Sequence, residues 1–333
     1  MAKKALSVII PGRNEQFMRH TVEDVLAHSS DDTEVIAVAD GYWPNPTLQD
    51  HPRLKIIHFS EAVGQRAATN AGARLSQAKY IMKLDAHCAT DDGFDAKMMS
   101  KMRPDWTMVP MMHRLHAFSW HCNECGAREY QGTKPTTCPN EDCDSTDFTM
   151  IMVWQPRFSK GPSVSWLFDP DLHFQYFYKH RKRPEVRKQA KANKVIDTMT
   201  CIGACFLMER ERFWELGGMS EGHGSWGQYG VELACKAWLS GGKMVTCVDT
   251  YFAHMFRTGN FGKNGQSTWP YPIRQKDIDA ARKYSRDLWW NNRWDKQKRP
   301  LSWLVERFWP VPGWTDDDLK ALKGGERDFV PST

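Results

Sequence analysis

Short hydrophobic runs alternate with helical patterns along the first hundred residues. Four runs of five or six residues are typical of buried strands, and they cover residues 6–10, 34–39, 54–59 and 80–84. Two intervening segments, 16–28 and 65–77, have the pattern of helices. Strands that alternate with helices form a mainly parallel sheet with helices on both faces. The pattern therefore predicts an α/β fold.

The alternation stops near residue 104 and returns near residue 198. A second set of elements is then predicted, namely strands at 203–208 and 243–248 and helices at 229–240, 275–291 and 316–323. A segment rich in Gly, Asn and Pro, residues 258–272, is predicted to be a mobile loop. We expect one sheet domain with a large insertion, divided into residues 1–103, 104–197 (the insertion), 198–292 and a Trp-rich extension at 293–333.

Composition excludes several classes of protein. The 333 residues are 41% hydrophobic and 26% charged, which is typical of a globular protein and excludes disorder as the main state. No apolar run approaches the roughly 18 residues of a membrane span. The first run ends at Pro11-Gly12-Arg13, which suits a buried strand better than a signal peptide. We therefore expect a soluble, cytoplasmic protein without a membrane partner.

Positive charge is concentrated in one segment. Residues 179–194 hold eight Lys/Arg and one Glu, a net charge of +7, so that the rest of the chain carries −2 of the total of +5. We call residues 179–194 the basic segment. Such runs are usually solvated faces, but a concentrated one is also typical of a nucleic-acid surface.

Four of the nine cysteines have the spacing of a zinc site. Cys122-x2-Cys125 and Cys138-x4-Cys143 are separated by twelve residues, and two close pairs of thiolates can bind zinc tetrahedrally. A site with four Cys ligands has no open position, so we predict a structural zinc ribbon at about 118–150. Chance clustering of reduced cysteines is the alternative. The flanking histidines His113, His116 and His121 are taken as structural or solvated, with a ligand role as the alternative, and the other five cysteines as core residues.

Polar residues follow the predicted strands where an α/β sheet binds its ligands. They are residues 11–15 after the first strand, Asp40-Gly41 after the second, and Asp85 and His87 after the fourth. Asp85 and His87 lie two positions apart, so both side chains point to the same side of the strand. A carboxylate and an imidazole that face one crevice can share a divalent cation, and mixed O/N ligation suits manganese better than magnesium.

Five segments resemble the catalytic domain of the polypeptide N-acetylgalactosaminyltransferases, which are nucleotide-sugar glycosyltransferases of the GT-A fold (family 2/27-like). The segments occur in the family's order and are LSVIIPGRNE (6–15), SQAKYIMKLDAHC (76–88), CIGACFLMERERFWELGG (201–218), SWGQYGVELACKAWLSGG (225–242) and YFAHMFR (251–257). The resemblance covers about 6–90 and 198–292. It implies a GT-A fold, in which 1–103 binds the nucleotide sugar and 198–292 forms the acceptor and catalytic half. The zinc ribbon and the basic segment are not part of the family's pattern.

The resemblance also implies roles for individual residues. His254 joins Asp85 and His87 as the third ligand of Mn2+ (or Mg2+), and the loop 258–272 closes over the donor. Implied catalytic residues are Asp85, His87, Trp226 in the catalytic loop and Glu232 in the acceptor site. Implied donor-binding residues are Pro11, Arg13, Glu15, Asp40 beside the nucleoside, Arg66, and Arg257 at the diphosphate. Structural roles are the alternatives for Asp40 (turn), His254 and Trp226 (core) and Glu232 (surface or cap). Tyr229, preceded by Gln228, stands where the family has Glu.

These observations together predict a metal-dependent, retaining glycosyltransferase that uses a UDP-sugar. The favoured acceptor is a 5-hydroxymethylated pyrimidine in DNA, 5-hydroxymethylcytosine, as in phage-type DNA modification in a bacterial host. The basic segment, the zinc ribbon and the expected cytoplasmic location favour it. The alternatives are transfer to protein Ser/Thr or a glycan, and a non-catalytic nucleic-acid-binding protein on a degenerate glycosyltransferase scaffold.

Overall fold

Three of the four hydrophobic runs, 6–10, 34–39 and 80–84, become inner strands of one large sheet, whereas 54–59, predicted to be buried, forms an edge strand in which no residue is fully buried. The computed structural model describes residues 4–224, 226–257 and 269–326, together with residues 329, 331 and 332. The strands are β1 (Leu6–Gly12), β2 (Thr33–Asp40), β3 (Leu54–Phe59), β4 (Tyr80–Leu84), β5 (Cys88–Thr90), β6 (Trp106–Cys122), β7 (Arg128–Tyr130), β8 (Phe148–Arg157), β9 (Trp166–Phe168), β10 (Phe174–Tyr176), β11 (Val195–Asp197), β12 (Cys205–Glu209) and β13 (Lys243–His254).

Helices cover the sheet and complete the alternating pattern. They are α1 (Met18–His28), α2 (Gln65–Leu75), α3 (Phe94–Met99), α4 (Pro184–Asn193), α5 (Arg210–Glu215), α6 (Tyr229–Leu239), α7 (Gln275–Ser285), α8 (Leu301–Arg307) and α9 (Asp316–Gly325). The helix predicted over 275–291 changes at residue 286 into a wider π-helical turn, Arg286–Trp290. Among the described residues, no helix has the length and apolar character that crossing a membrane requires.

The sheet is mainly parallel, as predicted. Its order is β11-β13-β6-β12-β4-β1-β2-β3. The strands β4, β1, β2 and β3 are parallel to their neighbours in this set, whereas β12 runs antiparallel between β4 and β6. Every residue of β1 and β2 is buried, because helices cover both faces of this part of the sheet.

Strand β6 divides the chain differently from the boundary predicted at residue 104. Its first half, up to Arg114, pairs with β13 inside the central sheet, and its second half leaves the sheet to pair with β7 and β8. One continuous strand of 17 residues therefore belongs to both the core and the insertion. The prediction placed all of it in the insertion, and the structure corrects this.

The Trp-rich extension packs onto the core. Leu301, Leu304 and Val305 of α8 are fully buried, and Trp314 stacks on Trp290 with ring centroids 5.8 Å apart. The indole nitrogen of Trp314 donates a hydrogen bond of 2.8 Å to the carbonyl oxygen of Phe168 in β9. The extension, which contains α8 and α9, is thus hydrogen-bonded to the insertion.

Candidate active site

A cavity of about 500 Å³ opens at the carboxyl ends of β1, β2 and β4. The sequence-predicted residues that line it are Pro11, Arg13, Glu15, Asp40, Asp85, His87, Trp226 and His254. The opposite wall consists of the residues before β12 and the first turn of α6, and Trp269 and Tyr271 lie above it. The structure therefore brings together most of the predicted site.

Asp85, His87 and His254 converge on one point of the cavity. Each offers one ligand atom, and these atoms lie within 4.8 Å of one another. Nε2 of His254 is 3.3 Å from Oδ2 of Asp85. Pairing of β13 with β5 sets His254 opposite Cys88, which brings the end of β13 to the turn after β4. Strand register thus brings His254 to His87 and to Asp85, which lies 169 positions earlier in the sequence.

The protonation states of these groups suit a divalent cation. Burial raises the pKa of Asp85, but Lys83, His254 and His87 outweigh it and hold that pKa well below its usual range. Burial lowers the pKa of His254 to about 4, so the imidazole is neutral at pH 7. Its buried Nδ1 has no hydrogen-bond partner among the described residues. An ionised carboxylate with two imidazoles can hold a divalent transition metal such as Mn2+.

Glu15 lies behind this cluster and connects it to a cation. Its Oε2 is 3.0 Å from Nδ1 of His87 and forms an ion pair with Arg257. Burial raises the pKa of Glu15, but His87 and Arg257 lower it by more, so the carboxylate is ionised. Such a partner fixes the ring orientation of a histidine ligand.

Asp40 and the aromatic residues shape the rest of the cavity. The carboxylate of Asp40 accepts hydrogen bonds from the backbone nitrogens of Val63 (2.6 Å) and Gly64 (3.1 Å), and so fixes the turn before α2. Trp226 packs edge-on against Trp269 at 5.8 Å. The guanidinium of Arg13 lies 5.0 Å from the ring of Tyr271. Trp269 and Tyr271 belong to the predicted lid, of which residues 258–268 lie outside the described residues.

Arg66 and Glu232 are not in the cavity wall, contrary to the predicted contacts with donor and acceptor. Both side chains are almost fully buried, and Nε of Arg66 lies 2.8 Å from Oε2 of Glu232. Lys236, one helical turn further along α6, pairs with the other carboxylate oxygen at 2.8 Å. Arg66 also donates to the carbonyl oxygens of Gly224 (3.1 Å) and Gly227 (2.7 Å). The pair therefore positions the turn that carries Trp226.

Tyr229 occupies the position where the resembling family has Glu. Its ring lies between two buried cations, 4.8 Å from Nζ of Lys83 and 5.3 Å from the guanidinium of Arg66. Its hydroxyl donates to Oγ1 of Thr69 at 3.0 Å. An aromatic face in place of a carboxylate thus contacts both cations without adding charge.

Sequence reasoning missed several residues of the site. Lys83 forms an ion pair with Asp85, and Nε2 of Gln65 donates to the same carboxylate at 2.9 Å. Lys83 could have been found, because it lies two positions before Asp85 on the same strand face. Phe174 and Tyr176 of β10 also line the cavity. No signal in the sequence connects this part of the insertion to the strand ends.

The four clustered cysteines form a second candidate metal site. Their Sγ atoms lie within 4.8 Å of one another, with Cys122 and Cys143 at 3.8 Å and Cys125 and Cys138 at 3.4 Å. Zn–S bonds of about 2.3 Å give S···S separations of about 3.8 Å in a tetrahedron, so the spacing fits zinc. His113, His116 and His121 are not in this cluster. The remaining cysteines are buried and unpaired, which confirms them as core residues; they are Cys88, Cys201, Cys205, Cys235 and Cys247.

Comparison with known proteins finds sequence similarity to glycosyltransferases. Residues 7–119 match the model of the family described as Glycosyl transferase family 2. Polypeptide N-acetylgalactosaminyltransferase 10 of Homo sapiens is 24% identical over 263 residues, which are 75% of this chain and 38% of that protein. Polypeptide N-acetylgalactosaminyltransferase 13 of Homo sapiens is 25% identical over 263 residues, 75% of this chain and 41% of that protein. The chain spans about two fifths of the length of these relatives.

A solved structure shares the fold. A crystal structure of GalNAc-T7 with UDP, GalNAc and Mn2+ superposes with a TM-score of 0.61 at 18% identity and covers 98% of this chain and 55% of that chain. The fold is therefore GT-A, as predicted. The chain is thus similar in sequence to family 2 glycosyl transferases over residues 7–119, and to polypeptide N-acetylgalactosaminyltransferases over three quarters of its length.

Proposed function

We propose that the chain transfers a sugar from a UDP-sugar to a hydroxyl acceptor with the help of Mn2+ or Mg2+. The observation that carries this proposal is the convergence of Asp85, His87 and His254 in the cavity, next to the Glu15–Arg257 pair. The homologues are named as sugar transferases, and the GalNAc-T7 structure holds UDP, GalNAc and Mn2+. Both support the same chemistry here.

Residues of the cavity wall, together with Arg257 paired to Glu15, have separate tasks in this reaction. The acceptor oxygen attacks the anomeric carbon, the bond from that carbon to the phosphate oxygen breaks, and UDP leaves with the negative charge. Asp85, His87 and His254 would hold the metal, which when bound offsets the charge of the diphosphate. Arg257 adds a fixed cation, and Trp226 with Trp269 restricts water around the reactive sugar.

The acids of the cavity support a retaining reaction. Among the described lining residues they are Glu15, Asp40 and Asp85. Each already has partners: Asp85 lies in the metal cluster, Glu15 binds His87 and Arg257, and Asp40 accepts two backbone hydrogen bonds. A carboxylate held in this way is a poor general base. We therefore propose that the departing phosphate oxygen takes the proton of the acceptor hydroxyl.

For the acceptor we propose 5-hydroxymethylcytosine in DNA. Seven of the eight cations of the basic segment are exposed, and within the described part of the chain none of the seven pairs with a carboxylate. The segment begins three residues after Tyr176, which lines the cavity. A base that leaves the stack can reach such a cavity while its flanking phosphates contact the cations. This acceptor goes with a cytoplasmic location, in a host of a DNA-modifying virus.

One observation favours a second acceptor. The homologues are named polypeptide N-acetylgalactosaminyltransferases, so transfer to Ser/Thr of a protein is the alternative.

For the cysteine cluster we propose structural Zn2+, which supplies folding energy to a hairpin tip with little apolar core.

Release of UDP with purified protein and Mn2+ tests these proposals. A panel of UDP-sugars is offered with hydroxymethylated DNA, unmodified DNA or Ser/Thr peptides. We expect release stimulated only by the modified DNA, with a matching mass gain on its nucleosides. Asp85→Asn should lower turnover by at least about 100-fold because a metal ligand loses its charge, whereas the exposed Asp317→Asn should have no effect.

Three results would count against particular parts. Turnover unchanged in Asp85→Asn would contradict the metal cluster, and stimulation by peptides alone would replace DNA with protein as the acceptor. Absence of release with every donor, from protein whose fold is intact, would contradict transferase activity. Metal analysis of the same protein tests the cysteine site, where one Zn2+ per chain should survive dialysis that removes Mn2+.

A further inference from the structure

Three aromatic side chains extend from the cavity to the surface of the insertion. Phe174 and Tyr176 line the cavity, with ring centroids 5.6 Å apart. Tyr176 and Tyr178 stack with centroids 5.4 Å apart and ring planes inclined by 10°. Phe174 and Tyr176 share one side because alternate residues of a strand do, and Tyr178 lies in the turn that follows β10. We call these three residues the aromatic ladder.

The outer end of the ladder is available to a ligand. Tyr178 is 67% exposed, and one face of its ring is covered by Tyr176. Single exposed aromatic residues are common on protein surfaces and need no function. Tyr178 differs from such residues because it continues a stack that begins inside the catalytic cavity. A planar group placed on Tyr178 would extend this stack.

Exposed cations lie beside the outer two rings of the ladder. Lys179, Arg181 and Lys182 follow Tyr178 closely in the chain, and all three are exposed. The exposed Arg114 is close enough to the middle ring, Tyr176, to lower its pKa, although burial has the larger effect and raises it. Arg114 also lies over the ring of Phe256, a residue of the cavity wall, at 5.1 Å. Aromatic rings between exposed cations are typical of surfaces that bind unpaired nucleobases and their phosphates.

We propose that the aromatic ladder is a stacking platform for an unpaired nucleobase next to the acceptor base of DNA. The inference rests on the proposed DNA acceptor and adds how that acceptor is held. Tyr178 stacks on the neighbouring base, and Lys179, Arg181 and Arg114 contact phosphates. The neighbouring base must turn one face to Tyr178, which costs less in a single strand than in a duplex, where pairing and stacking hold that base in place. Single-stranded DNA should bind more tightly than a duplex of the same sequence.

The test uses a single-stranded oligonucleotide with one 5-hydroxymethylcytosine and 2-aminopurine beside it. Stacking of 2-aminopurine on a tyrosine quenches its fluorescence, so binding of the wild-type protein should lower the signal. Tyr178→Ala should weaken binding roughly 5- to 100-fold, the range expected for the loss of one base–aromatic stack, and remove the quench. Tyr178→Phe keeps the ring and should retain both. Phe158→Ala removes another exposed aromatic ring, 58% exposed, and should leave both unchanged.

The outcomes separate this inference from the proposed function. Wild-type transfer to the oligonucleotide, together with normal binding and quenching by Tyr178→Ala, would overturn the platform and leave the DNA acceptor standing. A Tyr178→Ala variant that loses activity on a Ser/Thr peptide, while the wild type ignores the oligonucleotide, would overturn both. Equal binding of duplex and single strand by the wild type would also overturn the platform.

Discussion

Glu232 and Arg66 meet in the interior of the protein although 166 positions separate them in the sequence. Burial raises the pKa of Glu232, but Lys236 and Arg66 outweigh it and lower that pKa to about 2. Two cations and one carboxylate therefore share a site without solvent. Removing the carboxylate charge leaves both cations buried without a counterion, which is more costly than the pair itself is favourable.

We predict that Glu232→Gln lowers the free energy of unfolding by about 3–5 kcal/mol at pH 7. The folded pKa of about 2 lies below the ordinary value of 4.5, so this contribution is complete above pH 4.5 and is lost as the pH falls toward 2. Urea unfolding of both proteins at pH 7, 5, 4 and 3 should show the difference shrinking in this window.

A matched variant controls for general effects of acid. Glu306 pairs with Lys323 on the surface, with the two side chains 45% and 50% exposed. Glu306→Gln should cost less than about 1 kcal/mol at pH 7. An equally small loss for Glu232→Gln would contradict the buried network.

Among individual residues, those that belong to a short sequence motif could be predicted as members of the site. Asp85 and His87 could be predicted because strand ends collect ligand-binding residues, and His254 because a recognisable motif surrounds it. The partners of Glu232 could not, since Arg66 comes from a distant helix and only the packed fold brings them together. Whether Glu232 faces the cavity or the core depends on the rotation of α6 about its axis. Every residue of α6 is buried, so its sequence does not define that rotation.

Strands and helices also differ in how well the sequence predicts them. The strands β1, β2 and β4 were predicted because a strand buried on both faces is a continuous hydrophobic run bounded by turn residues. The run of β3 also predicted a strand, but its predicted burial was wrong because β3 lies at the edge of the sheet. Strand β6 was missed because it passes from the buried sheet into a half-exposed hairpin, so its pattern changes midway. Helix α6 has every residue buried and fits tightly against the residues before β12. At Gly230 this contact leaves no room for a side chain.

We predict that Gly230→Ala destabilises the fold by about 3 kcal/mol, because overpacking forces the backbone apart. A Cβ atom at this position would lie 1.8 Å from the carbonyl oxygen of Cys201. The residues after Cys201 form one wall of the cavity, so UDP release should fall together with the melting temperature. Gly324→Ala in α9 is the control, since a Cβ atom added there would have no other atom within 4 Å and alanine favours a helix by roughly 0.5–1 kcal/mol. Similar melting temperatures for the two variants would contradict the close approach of α6 to this wall.

The whole molecule combines a nearly neutral body with one strongly basic segment. Charge arithmetic on the sequence is enough to find that segment. The structure adds which of its cations are free to act. Arg183 donates to the carbonyl oxygens of Phe308 (2.9 Å) and Pro310 (2.6 Å), so it anchors the C-terminal extension, whereas the other seven are exposed. The sequence could not show that Tyr176, three residues before the start of the segment, is a residue of the cavity wall.

The salt dependence of the proposed DNA binding tests whether the exposed cations of the basic segment contact phosphates. Each phosphate neutralised by a cation changes the slope of log Kobs against log salt by about −0.7 for single strands. If Lys188 and Lys191 contact phosphates, the double change of both to Glu should reduce the magnitude of the slope by about 1.4 and weaken binding at every salt concentration. The same change at Lys298 and Lys320, which are exposed outside the segment, alters net charge equally and should leave the slope near the wild-type value. Equal losses of slope in the two double variants would mean that DNA responds to total charge, and the basic segment would then have no special part in binding it.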